Sequence, residues 1–235
     1  MTHRPHAESR RTSQIEPSLP SRTTMTLQNR ADPWGRLHAV SARGTLLGNR
    51  GKLHDEHRRV VRHWARNAWV ACDLEFNGRK REVFGPSTYS ELFFLDEATA
   101  LAAGHRPCAT CRRLRYDEFK SMWVAGNAAH LPARGQPMSE IDKLLHTERV
   151  DNGGQKLTHA ATLGDLPLGS FIEAKNTALL VWHKGLLEWS FEGYKAASVK
   201  VEPSTRVSVL TPISIVRTFA AGYRPTVHPS AIGAV

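Results

Sequence analysis

The sequence predicts an α+β fold, with a small cysteine-bearing region over residues 32–130 and a β-rich region carrying a C-terminal helix over residues 138–228. Three observations lead there. Period-2 apolar alternation marks strands in both halves. Short capped helices interrupt those strands. A Cys108-x-x-Cys111 pair follows a sharp turn in the first half. With 235 residues, 40% of them hydrophobic and 23% charged, the chain can build one sizeable core or two small ones. The ordinary apolar content argues against disorder throughout.

The elements follow in order. Residues 1–31 are rich in Ser, Thr, Arg and Pro without apolar periodicity, and are expected to form a disordered tail. Its arginines resemble those of a transit peptide, but Glu8 and Glu16 run against that reading. Gly35, Gly44, Gly48 and Gly51, interspersed with Arg36, Arg43 and Arg50, make a glycine-and-arginine loop region with a short strand over 37–41. The charged stretch 54–66 reads as a short helix. A strand fits 69–76, where Val70, Cys72, Leu74 and Phe76 share one face. Asn77-Gly78 is a type I′ hairpin signal, with a returning strand over 81–84. Another strand fits 91–95.

Asp96 caps a helix over 97–103 that Gly104 ends. Pro107 stands just before a second helix, which carries Cys111 and runs towards Trp123. Ser139 with Asp142 reads as a capping box for a helix through Glu148, followed by a Gly153-Gly154 turn. Strands fit 170–174, 178–183, 186–191 and 206–210, with turn signals at Lys175-Asn176 and Lys184-Gly185. Thr211, with Pro212 at the first helical position, opens a last helix that ends by Gly222. Trp182, Trp189 and Tyr194 belong by default to the core of this part.

The formal net charge is +10, which favours polyanionic partners such as DNA, RNA or an anionic surface. The cysteines are Cys72, Cys108 and Cys111, an odd number with two of them in a Cys-x-x-Cys. That argues against a disulfide framework and for a reducing, cytoplasmic compartment. No secretory h-region opens the chain, and no apolar run approaches the roughly 20 residues of a membrane span.

The most informative segment is 93–111. A strand feeds an Ala-rich helix, Gly104 stops it, Arg106-Pro107 turns the chain, and thiols follow at Cys108 and Cys111. That spacing points both sulfurs to one side of a turn, as a tetrahedral zinc site requires. A buried thiol pair or a redox dithiol would use the same residues, although a redox motif opens a helix directly after a strand.

Strand, short helix and Gly104-His105-Arg106-Pro107-Cys108-x-x-Cys111 together resemble the metal-binding domain of Ada-type bacterial DNA-repair proteins, over about residues 70–115. Similar knuckles are appended to some nucleases. The resemblance implies a zinc site in which Cys108 and Cys111 are the downstream ligand pair. In that family two upstream cysteines complete a four-thiolate site, and one accepts a methyl group from a DNA phosphotriester. Here Cys72 is the one upstream cysteine, so the four-thiolate site and the methyl transfer are not expected. The whole chain also resembles a bacterial protein family that carries no assigned activity.

Cys72, on the apolar face of its strand, is the candidate third ligand, with a buried structural cysteine as the rival reading. A neutral imidazole suits the fourth place. His54, in a loop after Gly51, is preferred over His63 and His105, with Asp55 as the acceptor that would orient it. Arg79, Lys80 and Arg81 at the hairpin, and Arg106, Arg112, Arg113 and Arg115 at the knuckle, are candidate phosphate contacts. His146, Glu148 and His159 with Arg149 form a candidate catalytic group, though without diagnostic spacing. The segment 44–51 lacks the lysine and spacing of a phosphate loop. The leading expectation is a zinc-stabilised nucleic-acid-binding protein, in DNA repair or processing. The alternatives are a metal- or His-dependent phosphodiesterase acting on nucleic acid, and a structural interaction module.

Overall fold

Six residues after Asp96 form the pivot of the fold. The helix α1 (Glu97–Ala102) has every residue buried. Small alanines let other elements approach it from all sides, the condition under which a helix without a polar face is stable. Asp96 caps it as the sequence predicts, accepting from Thr99 N at 2.8 Å and Thr99 Oγ1 at 2.7 Å. Gly104 ends it at φ +86°, and a Cβ there would lie 2.5 Å from Arg149 Cδ. Only glycine suits both the angle and the contact.

The computed structural model describes residues 26–78, 82–130 and 136–234. Most of the expected tail, and Arg79, Lys80 and Arg81, lie outside the described residues. The fold is α+β, as expected, with two six-stranded sheets. The first contains β1 (Arg30–Ala31), β2 (Leu37–His38), β3 (Leu46–Asn49), β4 (Val70–Asp73), β5 (Leu92–Phe94) and β6 (Arg106–Pro107), in the order β2-β1-β5-β3-β4-β6. The β1/β5 and β4/β6 pairs are parallel and the rest antiparallel. The second is wholly antiparallel, in the order β11-β10-β9-β8-β12-β7. Its strands are β7 (His159–Thr162), β8 (Phe171–Ala174), β9 (Thr177–Trp182), β10 (Gly185–Ser190), β11 (Gly193–Ala196) and β12 (Arg206–Val209). The remaining helices are α2 (Arg113–Asn127), α3 (Met138–Arg149), α4 (Ile213–Ala220) and the short α5 (Ser230–Gly233).

Three cores meet at α1. Ala98 and Ala102 pack with Phe171, Leu180 and Leu187 of the second sheet. Leu101 packs with Phe119, Trp123, Ile141, Leu145 and Phe219 of α2, α3 and α4. Ala100 packs with Leu46, Ala71 and Phe94 of the first sheet. Tyr194 is buried and donates to Asp96 Oδ2 at 2.7 Å, while Trp182 and Trp189 pack on the first core.

Several expectations need correction. Residues 54–66 are not helical. Asp55 Oδ1 takes the N–H groups of His57 and Arg59, each at 2.9 Å, and this local turn competes with helix. Arg30 and Ala31, placed in the tail, are a strand of the first sheet. Asn77 (φ 52°) and Gly78 (φ 64°) both have the positive φ that a type I′ turn needs, yet residues 82–84 are not strand. β4 pairs instead with β3 and β6. Its apolar alternation stops at Asp73, and Leu74 is exposed. Cys111 precedes α2 and does not lie in it. Ser139 is inside α3 and Pro137 is its N-cap, while Asp142 pairs with Arg106 and does not cap.

Candidate metal centre

Register brings the cysteines together. In the parallel β4/β6 pair, Ala71 stands beside Pro107. The next residues in each strand direction are Cys72 and Cys108, and Cys108 N donates to Ala71 O at 2.9 Å. Pro107 has no N–H, and it sits on an edge strand where none is needed. The chain then turns, with Arg112 N bonded to Cys108 O at 3.1 Å, and this turn returns Cys111 to the same side. The ligand atoms of Cys72, Cys108 and Cys111 all lie within 4.8 Å of one another. Sulfurs on a tetrahedral zinc ion, with Zn–S of about 2.3 Å, stand about 3.8 Å apart. The three are free thiols, with Cys72 buried and the other two half-buried.

The electrostatics favour a thiolate. A hydrogen bond from Cys72 and the backbone N–H groups of Cys111 and Thr110 hold the Cys108 thiol down to about 4. Thr110 N lies 3.4 Å from its sulfur. The same Cys108 contact, and then burial, push the Cys72 thiol up. Burial also pushes up Cys111, against the N–H of Asp73 that points at its sulfur. Three sulfurs sharing one small volume cannot all ionise without a cation between them. Three sulfurs placed this way could hold a metal ion.

The comparisons with known proteins add nothing to this. No protein-family model, no curated protein and no solved structure matches the chain.

His54 is not brought to the sulfurs. It is buried, its Nε2 donates to Gly85 O at 3.1 Å, and its Nδ1 lies 2.6 Å from Ser90 Oγ. Its ring stacks on Phe84 at 4.6 Å. With both nitrogens engaged it has no lone pair for a metal, and it serves to pin its loop. Asp55 bonds Arg59 and does not reach His54's ring. His105 is buried among arginines, accepting from Arg50 Nε at 3.2 Å, and His63 lies against Gly154. Among the described residues no fourth His, Cys or carboxylate joins the three cysteines.

The knuckle arginines turn inwards. Arg106 makes a two-pronged pair with Asp142, at 2.8 and 2.7 Å. Arg112 lies 2.9 Å from Glu97, close but not aligned as a hydrogen bond, and 3.3 Å from Asp73. Arg115 reaches Glu97 at 2.6 Å, Glu118 at 2.5 Å and the Arg224 carbonyl at 2.8 Å. Arg113 alone of the four stays exposed, paired with Asp117 at 2.9 Å. These guanidiniums hold the knuckle against α1 and α3, and they do not present a row of free phosphate contacts.

Glu97 is the centre of that network, 1% exposed, accepting also from Tyr223 OH at 2.8 Å and Thr226 N at 2.9 Å. Burial alone would raise its carboxyl. Arg115 and Arg112 outweigh burial and hold it below the usual carboxylate range.

The expected catalytic group is not assembled. Glu148 accepts from Ser214 N at 3.1 Å and Ser214 Oγ at 2.6 Å, tying α3 to the start of α4. His146 Nδ1 lies 2.9 Å from Arg149 Nη2, and the half-buried His159 is on β7 beside Lys156 and Arg217. Sequence reasoning missed Arg50, Trp69 and Lys156 as neighbours. Arg50 carried a weak signal, standing between Gly48 and Gly51, and Lys156 carried none.

Proposed function

We propose that Cys72, Cys108 and Cys111 hold a structural zinc ion and that the protein binds nucleic acid through a basic surface, in a DNA repair or processing role. The observation that carries the reading is the three-sulfur cluster, since thiolates suit soft and borderline ions, of which zinc is the one that structural knuckles use. The knuckle's resemblance to Ada-type domains supports the same metal. It does not extend to methyl transfer, because the second upstream cysteine is lacking.

The nucleic-acid part rests on the +10 charge and on where the free cations lie. Arg36, Arg43 and Arg62 are exposed and make no ion pair with a described residue. Lys52, Arg58, Arg59 and Arg66 are exposed on the same 52–66 loop, with Arg58 paired to Glu82 and Arg59 to Asp55. Sequence-independent phosphate contacts release counterions, so affinity should fall steeply with salt. Fluorescence anisotropy with single- and double-stranded oligonucleotides tests this. Replacing Arg36, Arg43 and Arg62 by Ala should flatten the salt slope by about one unit per lost phosphate contact, while Arg113→Ala should change little. Binding no tighter than about 10⁻⁴ M in low salt would make the surface merely solvated.

A further inference from the structure

A cavity of about 500 Å³ lies apart from the cysteines, bounded by the 34–37 segment, the 60–63 loop and the 154–156 turn. Arg36, Arg50, Arg62 and Lys156 line it together with Trp34 and Trp69, and no Asp or Glu does. Arg50 is the most deeply set, at 2% exposure. Its Nη1 donates to Gly35 O at 2.9 Å and its Nε to His105 Nε2 at 3.2 Å, while its buried Nη2 has no partner. The Lys156 ammonium donates to the buried carbonyl of Ala102 at 2.6 Å, and an ammonium carries more N–H donors than one carbonyl can use.

Further positive charge stands behind this wall. Arg149 and Arg50 each lie over the Trp69 ring, their guanidinium carbons 3.8 and 4.1 Å from its centroid. Burial and these cations keep His105 neutral, so it adds no charge. The nearby carboxylates are committed elsewhere. Asp32 accepts from Arg36 N at 2.9 Å and pairs with His38 at 2.8 Å, and Asp142 pairs with Arg106. Asp32 attracts Arg50 and Lys156 across space without bonding to either, so these buried cations are only partly balanced, and charge held this way at a cavity is a candidate ligand site.

We propose that this cavity binds a phosphate group, with Arg50 Nη2 and the Lys156 ammonium as inner contacts and Arg36 and Arg62 at the mouth. A guanidinium edge and an ammonium together match a phosphate's several oxygens, and a dianion balances two cations where a carboxylate would leave one unmatched. Trp34, Leu37, Val60 and Val61 offer apolar wall for the organic part of the ligand. The phosphate belongs either to a small phosphorylated molecule or to the end of a nucleic-acid strand. The site shares Arg36 and Arg62 with the nucleic-acid surface proposed above, while its inner contacts Arg50 and Lys156 are separate from that surface.

The test uses the full chain as purified. Inorganic phosphate should raise its melting temperature above that in chloride at matched ionic strength, and should change the emission of the lining tryptophans. Lys156→Met should weaken phosphate binding about tenfold, and so should the exposed double change Arg36→Ala with Arg62→Ala, which leaves the core intact. No effect beyond chloride, or unchanged affinity in both variants, overturns the site. A 5′-phosphorylated oligonucleotide preferred about tenfold over its 5′-hydroxyl twin, with the preference lost in Lys156→Met, assigns the strand end. Phosphate binding without that preference assigns a small molecule. Oligonucleotide binding that ignores both the 5′-phosphate and Lys156, with no effect of inorganic phosphate, sinks this site and leaves the surface reading standing.

Discussion

Glu97 shows how little a single residue's sequence context reveals. It sits at the start of a helix in an alanine run, yet it is the buried counter-ion of both Arg112 and Arg115. Glu97→Gln keeps the shape and removes the charge. It should destabilise the protein by about 3–5 kcal/mol in urea unfolding, the effect of leaving a buried pair half made. The pH sign follows from the lowered carboxyl. Its stabilisation is fully present above the unfolded value of about 4.3 and is lost as pH falls through the folded value. The acid limb of stability against pH should therefore be shallower in Glu97→Gln than in the parent, and an unchanged limb would assign acid unfolding to other groups. Cys108 and Cys111 were legible from spacing and Cys72 from its buried strand face. The arginines were not, because their carboxylates Glu97 and Asp142 are distant in sequence, and charge by itself reads as surface. His54 misled for the converse reason, since its partners Ser90 and Gly85 come from a segment with no periodic signal.

At the scale of elements, four strands of the second sheet, β8, β9, β10 and β12, were the most legible, while β7 and β11 were not expected. Turns at Lys175-Asn176 (φ 50° and 61°) and at His183-Lys184, one residue before the expected Lys184-Gly185, bound β9 and set the frame for its neighbours. β6 was illegible, being two residues long with a proline, yet its parallel register beside β4 is what brings Cys72 and Cys108 together. β3 carries Gly48, where a Cβ would lie 2.4 Å from the Phe94 ring, and a glycine there reads as loop until the ring is seen. α1 was legible through its cap and stop. Gly104→Ala tests that stop directly. It requires an L residue at φ +86° and drives a methyl into Arg149, so it should destabilise by roughly 1–3 kcal/mol in thermal or urea unfolding. A neutral result would mean that Arg149 swings away freely, and that α1 is not clamped from this side.

Across the whole molecule, α1 joins the first sheet, the second sheet and the α2–α4 helices through three cores. Neither half can lose α1 and keep its packing. Calorimetry should therefore give one unfolding transition whose van't Hoff and calorimetric enthalpies agree. Two resolved transitions would mean that the halves hold separate cores. The positive charge is likewise a property of the whole. At the knuckle carboxylates neutralise it, while at Arg36, Arg43 and Arg62 and along the lining of the Arg50–Lys156 cavity no carboxylate of a described residue pairs with it. Among the described residues no helix is long and apolar enough to cross a membrane.

The central claim is that Cys72, Cys108 and Cys111 together hold one zinc ion. Elemental analysis of the purified full chain, beside Cys72→Ser and Cys108→Ser variants, tests it most directly. Close to one zinc per chain is expected in the parent, with loss of zinc and a lowered melting temperature in either variant, because binding free energy at a structural site is folding free energy. A metal-free parent as stable as a zinc-supplemented sample, or a Cys72→Ser variant that keeps full zinc, would contradict the three-cysteine site.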